Sequence, residues 1–199
     1  MYHIHTTPGL ILDSKNYGEA GKILRIFTRN YGLVSTVAQG IRLEKSKLRY
    51  FAQNHSVANF SLVKGKEFWR LTSASSVLDK KIIDNIGNKK NIQILMVRMC
   101  KMLARLLQGE ERHEELFDMV WEGIEFMHKQ EYIDEERMKI LESIIMYKIL
   151  KLLGYIGADN ELDKSLYNLP IDTSLLDENM KNRNIINQHV NKALVESHL

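Results

Sequence analysis

Near Asp79 the apolar residues of this chain change their spacing, and that change constrains the fold more than any other feature. Before it, short β-rich runs alternate with turn residues; after it, apolar residues recur every three or four positions. The first pattern predicts strands over Gly9 to Ser14, Lys22 to Thr28, Gly32 to Ala38, Ser56 to Lys64 and Phe68 to Ser75, separated by Asn16, Gly18, Gly21, Asn30, Gly40 and Gly65. In the fourth run Ala58, Phe60 and Leu62 alternate with Asn59 and Ser61, the period of a sheet with one buried face. Five strands with a long excursion between the third and fourth suit a closed Greek-key barrel of the OB type, with an SH3-like barrel as the alternative.

The second pattern predicts three long amphipathic helices. Their apolar faces are Ile92, Leu95, Met96, Met99 and Leu103; Leu116, Met119, Val120, Ile124 and Met127; and Leu141, Ile144, Ile145, Ile149 and Leu152. Gly109, Gly154 and Gly157 mark helix ends, and Asp134 is an N-cap with Ile133 and Met138 placed to staple it. The pattern fades from Ala158 to Arg183 and returns as a short helix over Ile185 to Leu199. The fold class expected is therefore a five-stranded OB barrel over 1-79 followed by an antiparallel helical bundle over 80-199.

Charge divides at the same point. The chain of 199 residues carries a net charge of +3, but residues 1-80 hold 12 Lys+Arg against 5 Asp+Glu, a surplus of seven cations, while the remainder holds 16 against 20. The basic half is the candidate for contact with a polyanion, because clustered Lys and Arg displace counterions from phosphate backbones. Lys22, Arg25 and Arg29 fall on or beside the second strand. Arg42, Lys45, Lys47 and Arg49 crowd the excursion, and Lys64, Lys66 and Arg70 flank the last hairpin. Tyr31, Tyr50, Phe51, Phe68 and Trp69 are interleaved with them, which is the composition of a surface that holds a single strand by backbone attraction and base stacking. Phe68 and Trp69, adjacent in a strand, cannot both point inward.

Other chemistry is weakly supported. Gly18-Glu19-Ala20-Gly21-Lys22 lacks the four residues a phosphate loop needs between its glycines and reads as a turn. His3 and His5 share a strand face without a partner at ligand spacing. Glu110, Glu111, Glu114 and Glu115, and Asp134 to Glu136, fall where helices are expected to start and complement the helix dipole. Cys100, the single cysteine, sits among apolar helix positions with no histidine beside it, and Met127, Met138 and Met146 read as packing residues. One cysteine excludes an internal disulfide, and neither a secretory pattern nor about 18 consecutive apolar residues occurs, so the chain reads as a cytoplasmic protein that is not an enzyme and needs no cofactor.

The order of short motifs carries a resemblance. Gly9-Leu10-Ile11-Leu12, Tyr17-Gly18-Glu19, Ile26-Phe27-Thr28, Tyr31-Gly32-Leu33, Ala38-Gln39-Gly40-Ile41-Arg42 and Lys45-Ser46-Lys47-Leu48 together resemble the opening domain of the RecO family. Leu152-Leu153-Gly154-Tyr155 resembles the segment that precedes the zinc region in many relatives, but residues 156-199 contain none of the four cysteines found there, so no metal is expected. The resemblance implies a non-catalytic recombination mediator in DNA repair. Such a protein binds single- and double-stranded DNA, anneals strands, cooperates with RecR, receives the tail of single-strand-binding protein and serves the recombinase filament indirectly, with no membrane role. It further implies phosphate contacts at Lys22, Arg25, Arg29, Arg42, Lys45 and Lys47, with Arg49, Lys66 and Arg70 in the same surface. Arg98, Lys101, Arg105, Lys148 and Lys151 are the helix cations that could receive the tail. An RNA-binding barrel and an interaction module without nucleic acid remain the alternative readings.

Overall fold

The computed structural model describes residues 3-77, 90-158 and 160-197. The boundary expected near Asp79 lies outside the described residues. Five strands, β1 (Ile4–Tyr17), β2 (Gly21–Thr28), β3 (Gly32–Ala38), β4 (Val57–Val63) and β5 (Trp69–Ser75), close a barrel in the order β1-β2-β3-β5-β4. All neighbours are antiparallel except β3 and β5, which meet in parallel through Thr36 opposite Trp69 and Val37 opposite Arg70. Closure leaves no free edge.

β1 is longer than its apolar centre predicts. Its first half pairs with β4 (Ile4 opposite Val63 to Leu10 opposite Val57) and its second half with β2 (Gly9 opposite Thr28 to Tyr17 opposite Gly21), with a bulge between Ile11 and Asp13. A strand that bends to serve two neighbours needs such an irregularity. The interior is filled by Ile11, Leu24, Ile26, Val34, Ala38, Ala58, Phe60, Leu62, Trp69 and Leu71, with Ile41 and Ala52 from the excursion.

Five α-helices follow among the described residues: α1 (Lys90–Leu106), α2 (Glu114–Lys129), α3 (Glu135–Leu152), α4 (Thr173–Asn179) and α5 (Arg183–Glu196). The Asp134 carboxylate accepts from Arg137 N at 2.9 Å and so caps α3, as its sequence position predicts. The other end of α3 closes on Gly154 (φ 79°), where Tyr155 N donates to Leu150 O and Gly154 N to Lys151 O, the paired bonds of a left-handed glycine stop. α3 is buried on most sides and packs against α4 and α5. The weakly patterned stretch before α4 is not featureless: Asn160–Leu162 forms a helical turn and Asp163–Tyr167 a π-helical one.

Two compact units result. One joins the barrel to Met96–Phe117; the other joins the start of α1 to the chain from Asp118 onward. Within the first unit Gly32 lies against the segment that precedes α2. Its φ is 65°, a Cβ there would fall on the Glu111 carbonyl, and the next residue, Leu33, donates its N–H to Gly109 O at 3.1 Å. Gly32→Ala is therefore expected to cost about 2–4 kcal/mol in urea unfolding, combining left-handed strain with displaced backbone. Gly18→Ala, with φ 58° but open space around it, isolates the conformational part, about 1 kcal/mol.

Candidate nucleic-acid interface

An OB barrel commonly takes its ligand on the outer face of its second and third strands. Here that face is closed. β2 and β3 pair Ile23 with Val37, Arg25 with Ser35 and Phe27 with Leu33; the four apolar residues point away from the barrel interior, yet each is at most 9% exposed. The Met96–Phe117 segment covers them. Phe27 packs edge-to-face on Phe117 with ring centroids 5.3 Å apart, and Met99, Cys100 and Leu103 are fully buried in the same unit. Burial raises the Cys100 thiol to about 12, with the negative charge of Asp13 adding to the shift, so it is a packing residue and no nucleophile.

Arg25 belongs to this cover. Its guanidinium donates to Asp13 at 3.0 Å and to Ala104 O at 2.9 Å, which commits it to holding α1 on β2. It is not a free phosphate ligand.

The open concavity lies elsewhere in the same unit. A cleft of about 600 Å³ is lined by Lys22, Ile41, Arg42, Arg49, Ala52, Gln53 and Asn54. Lys22 comes from the start of β2, and the rest come from the excursion between β3 and β4. The excursion folds back because Gly40 (φ 64°) allows the chain to reverse, Ile41 and Ala52 insert into the core at 2% and 3% exposure, and Lys47–Arg49 forms one 3-10 turn between them. Arg42 N–H donates to Ala20 O at 2.9 Å and its guanidinium to Glu19 O at 3.1 Å, tying the excursion to the β1–β2 turn. Asn54 accepts from Ser14 Oγ at 2.6 Å. Lys22, Arg42 and Arg49 form no ion pair with a carboxylate among the described residues, so three like charges surround one open hollow. Such an arrangement attracts an anion carrying several charges.

The other basic positions fall around this cleft unevenly. Lys45 and Lys47 are exposed on the excursion but do not line the cleft. Arg29 is half-buried at the end of β2; Lys66 and Arg70 are exposed on the β4–β5 side. Lys64 is bound to Glu110 at 2.8 Å and lies 5.4 Å from the centre of the Trp69 ring. Glu110 also accepts the Trp69 indole N–H at 2.8 Å, and the Lys64 hydrogen bond holds its carboxyl below the usual range. Glu110 and Glu111 thus precede α2 rather than open it, and Glu110 has a task on the barrel that the sequence reading missed.

Of the aromatics, Trp69 is buried with Tyr31 and His5 around it, whereas Phe68 is only half-buried. Tyr50, 53% exposed beside Arg49, has its ring edge-to-face with Phe51 at 5.1 Å, and Tyr17 is 49% exposed beside the β1–β2 turn, so both present partly exposed aromatic rings. Gln53 and Asn54 were not singled out in the sequence because a lone amide in a turn has no pattern, and Tyr17 was noted only as part of the Tyr17-Gly18-Glu19 motif.

The helix cations also divide. Lys148 is 3% exposed and donates to Leu169 O at 2.5 Å; burial lowers its pKa. Lys151 is held by Asp163 at 2.8 Å and by Gly157 O at 2.7 Å. Neither is free to meet a carboxylate from a partner, which corrects that expectation. Arg98, Lys101 and Arg105 are exposed on α1.

A closed five-stranded barrel of this order is the architecture of an OB fold, and its first turn and long excursion frame a cationic cleft. Residues 1–78 match the family model described as Recombination protein O N terminal. Curated relatives carry the name DNA repair protein RecO. That of Desulfitobacterium hafniense is 25% identical over 155 residues, 78% of this chain and 52% of that protein. That of Alkaliphilus metalliredigens is 26% identical over 76% of this chain and 57% of its own length, and that of Rubrobacter xylanophilus 27% identical over 76% and 58%. The barrel is thus similar to the N-terminal part of RecO proteins, and the chain spans about half the length of the curated relatives it matches.

Proposed function

We propose that the chain acts without catalysis in DNA repair and recombination, gripping the backbone of single- and double-stranded DNA at the Lys22, Arg42 and Arg49 cleft. The observation that carries this reading is the cleft itself: three cations with no carboxylate partner among the described residues around one hollow, on a barrel matching the RecO N-terminal family model. Contacts of this kind neutralise phosphates and ignore base sequence, while Tyr17 and Tyr50 offer π-faces to unpaired bases. Holding two strands loosely by their backbones is what an annealing protein requires, and the sequence resemblance to RecO extends the proposal to recombinase loading with RecR and single-strand-binding protein. No helix among the described residues is long and apolar enough to cross a membrane.

The test is a gel-shift and annealing assay on the purified full chain. Binding should extend to strands of unrelated sequence, annealing of complementary strands should accelerate, and log affinity should fall linearly with log salt. A flat salt dependence would remove the cleft from the account, and a clear preference for RNA over DNA of equal length would favour the RNA-binding reading.

A further inference from the structure

The cleft is short, and the structure suggests where a longer strand goes next. We infer that the nucleic-acid track continues from the cleft onto α1, where Lys101 and Arg105 take the backbone beyond Asn54. The inference rests on the cleft reading and departs from the sequence reading, which gave these two residues to a protein partner.

Three observations place them. First, Arg25 on β2 donates to Ala104 O at 2.9 Å, which sets the last turns of α1 over the outer face of β2, while Lys22, three residues earlier at the start of the strand, projects from the opposite face into the cleft. Three residues of strand span about 10 Å. Second, the wall of the cleft leads toward α1. Gln53 and Asn54 line the hollow, Asn54 is fixed to Ser14, and the next residue, His55, adopts φ 67° and donates its N–H to Ile11 O at 2.8 Å. The half-buried His55 ring lies within the field of Lys101, whose charge, after burial, depresses the imidazole pKa. Third, Lys101 and Arg105 are exposed, one helical turn apart, and form no ion pair among the described residues. Asp13 on β1 is already bound by Arg25 at 3.0 Å. Unpaired cations next to the cleft wall extend its positive field in one direction.

The experiment compares fluorescein-labelled oligothymidylates of about 5 and about 16 nucleotides, the range one OB fold covers, on three proteins: the unaltered chain, Lys101→Ala with Arg105→Ala, and Lys22→Ala with Arg42→Ala and Arg49→Ala. The α1 pair should weaken the long strand roughly tenfold and lower its salt slope by about 1.4, at about 0.7 per lost contact on single strands, while leaving the short strand and the melting temperature unchanged. Unchanged affinity for the long strand in the α1 variant, with loss in the cleft variant, would overturn the extension and spare the cleft, and would return Lys101 and Arg105 to a protein partner. Equal weakening of both lengths would also overturn it, because the residues would then act on the cleft and not beyond it. Unaltered binding in the cleft variant would overturn both readings.

Discussion

Lys22→Ala, Arg42→Ala and Arg49→Ala together should weaken single-strand binding roughly 100-fold at moderate salt and reduce the slope of log affinity against log salt by about 2. The three cations surround one hollow without carboxylates to neutralise them, so each lost charge removes a contact of its own. Lys45→Ala with Lys47→Ala is the comparison. These two are as exposed and as basic but lie off the cleft lining, and their loss should weaken binding only about threefold through the general field. Titrations by fluorescence anisotropy at several salt concentrations separate the cases. Equal losses in both variants would mean diffuse attraction to the whole excursion. Thermal melting should hardly change in either, since exposed charges contribute little to folding.

The largest stability effect is expected at Trp69. Its side chain is 3% exposed, fills the barrel where β3 and β5 meet over only two residue pairs, and packs against Tyr31 and His5. Trp69→Ala should cost about 3–5 kcal/mol in urea unfolding, through lost transfer energy and the cavity left behind. Trp69→Phe keeps most of the apolar volume and removes the indole N–H that Glu110 accepts, so it should cost about 1 kcal/mol. Glu110 adds a pH signature. Lys64 holds its carboxyl below the usual range, so its stabilising contribution is complete above the ordinary carboxylate pKa and disappears as pH falls through the depressed folded value. The contribution is small, because Glu110 is 44% exposed.

The five strands, the barrel class and the three long helices were legible because hydrophobic spacing of 2 and of 3.6 residues is a direct imprint of burial on one face. The covered outer face was legible too, but went unread. Ile23 to Phe27 and Leu33 to Ala38 are largely apolar runs, the mark of strands buried on both sides, interrupted only by Arg25 in the first and by Ser35 and Thr36 in the second. Charge count alone could not separate Lys22, which faces the cleft, from Arg25, which serves α1. That division depends on the bulge in β1, which sets Asp13 opposite Arg25. Lys148 and Lys151 misled for a related reason. A lysine on a helix looks solvent-exposed until a later segment, here the one carrying Asp163 and Leu169, folds over it.

The single cysteine gives this arrangement a clock. Burial raises the pKa of its thiol to about 12, so the reactive thiolate is scarce near neutral pH, and its side chain is 0% exposed. Alkylation of Cys100 therefore waits for α1 to lift from the barrel. Its rate in native conditions counts those openings, and a strand lying across both the cleft and α1 would slow the count.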